Sequence, residues 1–268
     1  MAVDEALLDR YAREEGRDAP PTLRIYAWSP PAVSLGCKQP LPSSIDRAWL
    51  RARSIDLVRR PTGGRAVLHE GEWTYAVAGR IGSRSFPGGV LDTYARIAAA
   101  LVAAFEVLGL GAEARTGGSD PGPLDPRGCF EVASAHEIVI GSRKVVGSAQ
   151  ARRRKGFVQH GSIPLLAHGG RPGGRSLVPG APGEGALARA AGRVLDPSEI
   201  GEALLAGFAR RFGAELVPGS LDEDEALRAA ALRCWKYDSA AWTLEGKIGS
   251  RERRLAPEGL FSDPDRAG

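Results

Sequence analysis

Apolar positions recur at helical spacing where the chain begins: Val3, Leu7, Leu8 and Tyr11 fall on one face, and Asp4, Arg10 and Glu14 on the other. The chain thus opens inside an amphipathic helix, which raises the expectation of a clipped N-terminus. After Pro20 and Pro21 the period shortens. Leu23 to Trp28 alternates and Val33 to Leu35 is apolar, so both read as strands. Ser43 with Asp46 three residues on marks a capped helix start, running to about Arg53. Ile55 to Val58 is a buried strand by pattern, and Ala66 to Leu68 and Trp73 to Val77 follow as further strands. A long helix is predicted from about Leu91 to Leu108, burying Tyr94, Ile97, Ala98, Leu101 and Phe105, with Gly111 as its stop.

From Thr116 to Gly128 the pattern dissolves into Gly, Pro and Asp, a loop of a length that is usually functional or mobile, leading into Cys129-Phe130. Glu137 to Ile140, the turn Gly141-Ser142 and Arg143 to Val146 form a hairpin, and Phe157 to Ile163 another strand. Residues 166–194 read as loop. Helices at about Ser198 to Phe212 and Asp222 to Trp235 close the fold, and from Lys247 on the chain is a charged tail. The mixture of strands and helices is of the α/β (α+β) class. No repeat occurs, and no second domain-sized block follows residue 245, so one domain over 1–245 and a flexible tail over 246–268 are expected.

Composition narrows this little. Charged residues at 25% and apolar residues at 43% exclude global disorder, and Gly and Pro at about a fifth of the chain imply many turns. A net charge of +4 does not establish nucleic-acid binding, and the one dense basic cluster, Arg152 to Lys155, has only Phe157 beside it as an aromatic. It is either a solvated turn or a dock for an acidic protein. The three cysteines, Cys37, Cys129 and Cys234, suggest neither a disulfide framework nor a CxxC metal site. With no run of 18 apolar residues and no signal peptide, neither membrane nor nucleic acid is an expected partner, and the cytoplasm is the expected compartment.

Candidate chemistry sits in four places. Arg60-Pro61-Thr62-Gly63-Gly64-Arg65 follows a strand, where glycine amides flanked by guanidinium suit an anionic or carbonyl-bearing ligand, although Thr-Gly-Gly is also a common turn. His69, Glu70 and Glu72 lack a second His at metal-ligand spacing, so no metal is expected. Cys129 follows a polar loop where a thiol is accessible, whereas Cys37 and Cys234 read as small buried hydrophobes. Lysine is scarce, with only Lys38, Lys144, Lys155, Lys236 and Lys247. Lys144, flanked by Val145 and Val146, is either a strand lysine facing water or a partly desolvated base, a role for which arginine is unsuited.

Four ordered segments carry a resemblance. These are Arg59 to His69 (RRPTGGRAVLH), Gly128-Cys129-Phe130, Gly141 to Gln150 (GSRKVVGSAQ) and Gln159 to Ile163 (QHGSI). Together with Met1 to Leu8, Trp28-Ser29-Pro30 and Gly36 to Pro40 they resemble the lipoate-protein ligase/octanoyltransferase superfamily, closest to its LipM-type octanoyltransferases, over about residues 1–245.

The resemblance implies a biotin/lipoate protein ligase-like catalytic domain with a mixed sheet and flanking helices, acting as a monomer without a cofactor. It implies octanoyl transfer from octanoyl-acyl carrier protein, through a thioester on Cys129, to a lysine of a lipoyl carrier such as the glycine cleavage H protein, the first step of protein lipoylation. Lys144 would serve as the base. Arg60, Gly63, Gly64 and Arg65 would line the pocket with His69 beneath, and amides near Gly147 and Ser148, beside Ala149, would hold the oxyanion. The acidic partners typical of that family would dock on Arg152 to Lys155.

Three alternatives stay open: an ATP-dependent lipoate-protein ligase, a transferase moving groups between lipoyl domains, and a non-catalytic acyl-carrier-binding homologue. Arg65 where ligases tend to carry a third glycine, Gly128-Cys129-Phe130 where they carry an Asn-Asp type motif, and the lack of a further small domain weigh against the first.

Overall fold

The structure is a computed structural model that describes residues 1–13, 19–115, 137–141, 143–165 and 186–248. Among the described residues, nine strands and six α-helices run in the order α1 (Ala2–Ala12), β1 (Thr22–Tyr26), β2 (Ala32–Leu35), α2 (Arg47–Ala52), β3 (Asp56–Arg59), β4 (Val67–His69), β5 (Glu72–Arg80), α3 (Val90–Val107), β6 (Ala112–Arg115), β7 (Glu137–Ile140), β8 (Arg143–Arg153), β9 (Gly156–Pro164), α4 (Ala186–Ala191), α5 (Pro197–Phe212) and α6 (Glu223–Leu232). Two π-helical turns, Arg233–Tyr237 and Ala241–Glu245, follow α6. No helix among the described residues is long and apolar enough to cross a membrane.

A six-stranded antiparallel sheet has the order β1-β5-β9-β8-β7-β6, and a three-stranded sheet the order β3-β2-β4 with β2 parallel to β3 and antiparallel to β4. The long strands β5 and β9 are buried almost throughout because both faces of the large sheet are covered. On one face Tyr75, Val77, Phe157 and Ile163 pack with Ile97, Leu101 and Phe105 of α3 and Ile200, Leu204 and Phe208 of α5. On the other, Ala78 and Val158 meet Leu7, Leu8 and Tyr11 of α1. Gly156 permits that approach, since a Cβ there would lie 2.6 Å from the Ala12 nitrogen and the Leu8 oxygen.

Several elements differ from the pattern. Helix α1 is not half-solvated: Asp4, Glu5 and Asp9 are all buried, because α6 covers the side turned away from the sheet. Each carboxylate is paired, Asp4 with Arg24, Glu5 with Lys236 and Arg153, and Asp9 with Arg153 and Arg228. The short helix α2 is capped by Asp46, whose side chain accepts from Ala48 and Trp49, rather than starting at Ser43. Helix α3 ends at Val107, and Gly109, not the expected Gly111, stops it: its φ of 73° turns the chain where other side chains would be strained.

Residues 186–191, expected as loop, form α4, with Leu187 fully buried. The π-helical turn at Arg233–Tyr237 shifts the phase of the closing helix, so Trp235 is buried and Cys234 exposed; Cys37 is half-buried, and neither cysteine is the core residue expected. Within the expected tail, Gly246 packs against the Cys37 carbonyl and Ile248 against the Trp235 cluster, while 249–268 lie outside the described residues.

Candidate active site

The seam between the two sheets holds a cavity of about 130 Å³. That is below the roughly 300–1,000 Å³ of drug-sized pockets. The small sheet and its connections contribute Ser34, Arg60, Gly64, Val67 and His69; the large sheet contributes Thr74, Glu137, Lys144, Gly147 to Ala149 and His160 to Ser162; Trp28 closes one side.

Of the residues singled out from sequence, Arg60, Gly64, His69, Lys144, Gly147, Ser148 and Ala149 meet at this cavity. Gly63 and Arg65 do not line it. Their carbonyls instead accept from Arg60, whose guanidinium also donates to the carbonyl and hydroxyl of Ser34, each at 3.0 Å. Arg60 is thus a buried brace that shapes the Thr62-Gly63-Gly64 loop. Main chains touch there: a Cβ on Gly36 would collide with the Gly64 carbonyl. Cys129 and its neighbours Gly128 and Phe130, the loop before them, and Ser142 lie outside the described residues.

Lys144 is buried and its Nζ donates to the carboxylate of Glu137 across the β7–β8 pair. A one-residue register shift separates the Val139–Lys144 pairing from the Ile138–Val146 pairing; such bulges re-aim side chains beside active sites. Of the two sequence readings of Lys144, the one facing water is therefore wrong. Lys236 is the other buried lysine; burial pushes its pKa down while Glu5, held through both carboxylate oxygens, opposes the shift.

His69 has both ring nitrogens engaged, Nε2 with Ser34 Oγ at 2.7 Å and Nδ1 with Glu72 Oε1 at 2.6 Å. Glu72 also accepts from Thr74, at 2.7 Å, and from Ser162, and Thr74 accepts from Trp28 Nε1 at 2.9 Å. The Trp28 ring stacks on His69 with centroids 4.1 Å apart. His160 joins the sheets in the same way, Nε2 to Thr62 Oγ1 at 2.7 Å and Nδ1 to Asp4 Oδ2 at 3.1 Å. Burial lowers the His160 pKa, outweighing the hydrogen bond to Asp4 that would raise it.

Below the cavity, Ser148 Oγ and Tyr75 hydroxyl are 2.7 Å apart and Gln159 donates to Tyr75 at 3.1 Å; burial pushes the Tyr75 pKa up to about 12. Gly161 makes room for this pair, since a Cβ there would lie 2.5 Å from the Tyr75 ring and 2.9 Å from Ser148 Oγ.

Sequence reasoning missed Trp28, Ser34, Thr74, Glu137, His160 and Ser162 as cavity residues. A signal existed for Glu137, an acid opposite a lysine across a short hairpin, and for Glu72, three residues after His69. The basic cluster does not stand free as a dock. Arg152 donates to Gln150, to the Gly89 carbonyl and to Thr93, and Arg153 to Glu5 and Asp9, leaving Arg154 and Lys155 exposed at the turn.

Comparison with known proteins agrees with this architecture. The lipoyl protein ligase A/B catalytic domain matches residues 1–168. Octanoyltransferase LipM of Symbiobacterium thermophilum is 41% identical over 259 residues, covering 91% of this chain and 93% of that one, and its counterpart from Moorella thermoacetica is 40% identical over 256 residues, covering 90% and 92%. A bi-partite lipoate protein ligase from the archaeal lipoylation system of Thermoplasma acidophilum superposes with a TM-score of 0.68 at 22% identity over 92% of this chain and 91% of that chain, which establishes a shared fold. Those matches and the cavity at the sheet seam place the chain in the lipoyl protein ligase A/B catalytic domain family, among its acyltransferases of the LipM type.

Proposed function

We propose that the protein moves an octanoyl group from octanoyl-acyl carrier protein to a lysine of a lipoyl carrier, the glycine cleavage H protein being the expected acceptor, by way of a thioester on Cys129. The observation that supports this most directly is the 41% identity, across nearly the whole chain, to an octanoyltransferase. The T. acidophilum ligase belongs to an archaeal lipoylation system together with its E2 lipoyl domain, which supports an acceptor of the lipoyl-carrier kind.

Lys144 takes the Cys129 proton as the sulfur attacks the donor thioester, the carrier's carbon–sulfur bond breaks and the leaving thiolate takes that proton from Lys144, while Glu137 holds the lysine in place within the cavity wall. In the second half-reaction the acceptor amine displaces the Cys129 sulfur and loses a proton to the same lysine, which passes it to the departing Cys129 thiolate. Amides at Gly147 and Ser148 hold the oxyanion, and Trp28, Val67 and Ala149 give the acyl chain an apolar wall.

Mixing the protein with octanoyl-acyl carrier protein in the absence of ATP produces an octanoyl adduct in intact-mass spectra that Cys129→Ala abolishes. Lys144→Arg keeps the charge and loses the proton acceptor, so acylation slows by about 10²–10⁴-fold. An adduct surviving in Cys129→Ala, acylation at the original rate in Lys144→Arg, or transfer that requires ATP and free lipoate refutes this reading.

A further inference from the structure

The hydrogen-bond network around His69 fixes which nitrogen carries the proton. Thr74 accepts from Trp28, so its own hydroxyl proton goes to Glu72, and Ser162 also donates to Glu72. Glu72 Oε1 then accepts from His69 Nδ1–H at 2.6 Å, which leaves Nε2 as an acceptor facing Ser34 Oγ at 2.7 Å. Ser34 is the donor in that contact. Its oxygen meanwhile accepts from the Arg60 guanidinium at 3.0 Å.

A serine hydroxyl on the free nitrogen of an imidazole, whose other nitrogen is bound to a buried carboxylate, is the relation of nucleophile, base and orienting acid that defines hydrolytic triads. The guanidinium adds what a plain structural serine lacks, a cationic donor placed to stabilise an alkoxide at Oγ. Ser34 is fully buried and stands in the wall of the cavity with His69, Val67 and Trp28.

We propose that Ser34, His69 and Glu72 form a second acyl-accepting centre that hydrolyses acyl thioesters through an acyl-serine ester, without Cys129. Ser34 Oγ attacks the thioester carbonyl while its proton passes to His69 Nε2. The carbon–sulfur bond breaks and the leaving thiolate takes that proton as a thiol. Water then attacks the ester, giving its proton to Nε2; the carbon–Oγ bond breaks, Ser34 recovers the proton, and a carboxylic acid leaves. Nδ1–H stays on Glu72 throughout, and nothing is oxidised or reduced. The substrate class rests on the transferase reading, whereas the triad itself does not.

The test uses the full-length Cys129→Ala protein, which removes the thiol route. An alkyl fluorophosphonate, which labels activated serines, adds one mass increment that maps to the Ser34 peptide. With the octanoyl thioester of N-acetylcysteamine, thiol release is measurable and falls at least about 10²-fold when Ser34→Ala or Glu72→Gln is added. Glu72→Gln preserves shape while offering the imidazole an amide in place of the carboxylate, so it separates base orientation from packing. A folded Cys129→Ala protein with no label on Ser34, or thiol release unchanged by Ser34→Ala, overturns the proposal. Whether wild-type protein acylates Cys129 is read separately from the octanoyl adduct described above, so the two assignments fail independently.

Discussion

Arg59 is the largest side chain in the fully buried set, 1% exposed, and it faces carbonyl oxygens on two separate stretches of chain. Nη1 donates to Gly36 and Gln39, both at 2.6 Å, and Nε to Trp242 at 2.8 Å, with longer bonds to Thr243 and Leu244 at 3.2 Å. The guanidinium therefore staples the second π-helical turn onto the turn after β2. Replacing it by lysine keeps the charge and loses the planar fork, so the ammonium reaches one stretch but not both. Hydrogen bonds from a charged donor are worth roughly 1.5–3 kcal/mol each. Losing one or two of the three short ones, with water recovering part, gives a destabilisation of about 2–4 kcal/mol, a large share of the roughly 5–15 kcal/mol typical of a folded domain. Arg59→Lys should lower the urea midpoint correspondingly and speed amide exchange at Trp242 to Gly246 ahead of global unfolding. A loss below about 1 kcal/mol with unchanged exchange there would show that the fork is incidental.

Gly161→Ala places a methyl 2.5 Å from the Tyr75 ring and 2.9 Å from the Gly147 carbonyl. Main chain cannot give way as a side chain can, so a loss of about 1–3 kcal/mol in denaturant unfolding is expected, and an unchanged midpoint would contradict the packing described. His160 has its pKa lowered by burial, so below the ordinary histidine value near 6.5 the unfolded chain binds a proton that the folded one resists, and stability falls as pH drops from 7.5 to 5.5 with a slope of at most about 1.4 kcal/mol per unit. In His160→Gln the slope over that window flattens; Glu5, whose pKa is depressed against the pull of burial by Lys236 and Arg153, loses its contribution only below about pH 4. An unchanged slope in His160→Gln would remove His160 as its source.

Legibility in the sequence followed local physics. The strands that bury one apolar run, Val33 to Leu35 and Phe157 to Ile163, are readable because their pattern is set by their own residues; Ile55 to Val58 is found as the strand Asp56–Arg59, but with Asp56 exposed and Leu57 and Val58 half-buried it is not the buried strand expected. The strand Ala112–Arg115 is not readable, since two of its four residues are charged and it pairs only at the sheet edge. The burial of Asp4, Glu5 and Asp9 is not legible, because nothing local announces the arginines and the lysine that meet them from 20 to over 200 residues away. At the site, Lys144 and His69 were found through motif and spacing, whereas Ser34, Thr74 and Ser162 are strand residues whose chemistry arises only when two sheets close on one carboxylate.

That closure explains why the cavity sits where it does. Two sheets that merely pack would bury apolar faces, as the Val33 and Leu68 cluster does within the small sheet. At the seam the contacts are polar instead: His160 of β9 holds Thr62, and Glu72 of β5 joins Ser162 of β9 to His69 of β4 and through it to Ser34 of β2. Each bond is directional and fails if the sheets slide, whereas an apolar contact tolerates a small shift. A polar seam thus fixes the distance between the wall carrying Lys144 and the wall carrying Arg60 and Gly64, and acyl transfer needs such fixed distances, because misplacement by about 1 Å costs on the order of 10²-fold in rate. The same argument ranks the seam residues: those bonded across it, Thr62 and His160, should affect turnover more than their buried area suggests, and Val33, equally buried but bonded only within its sheet, should affect stability alone.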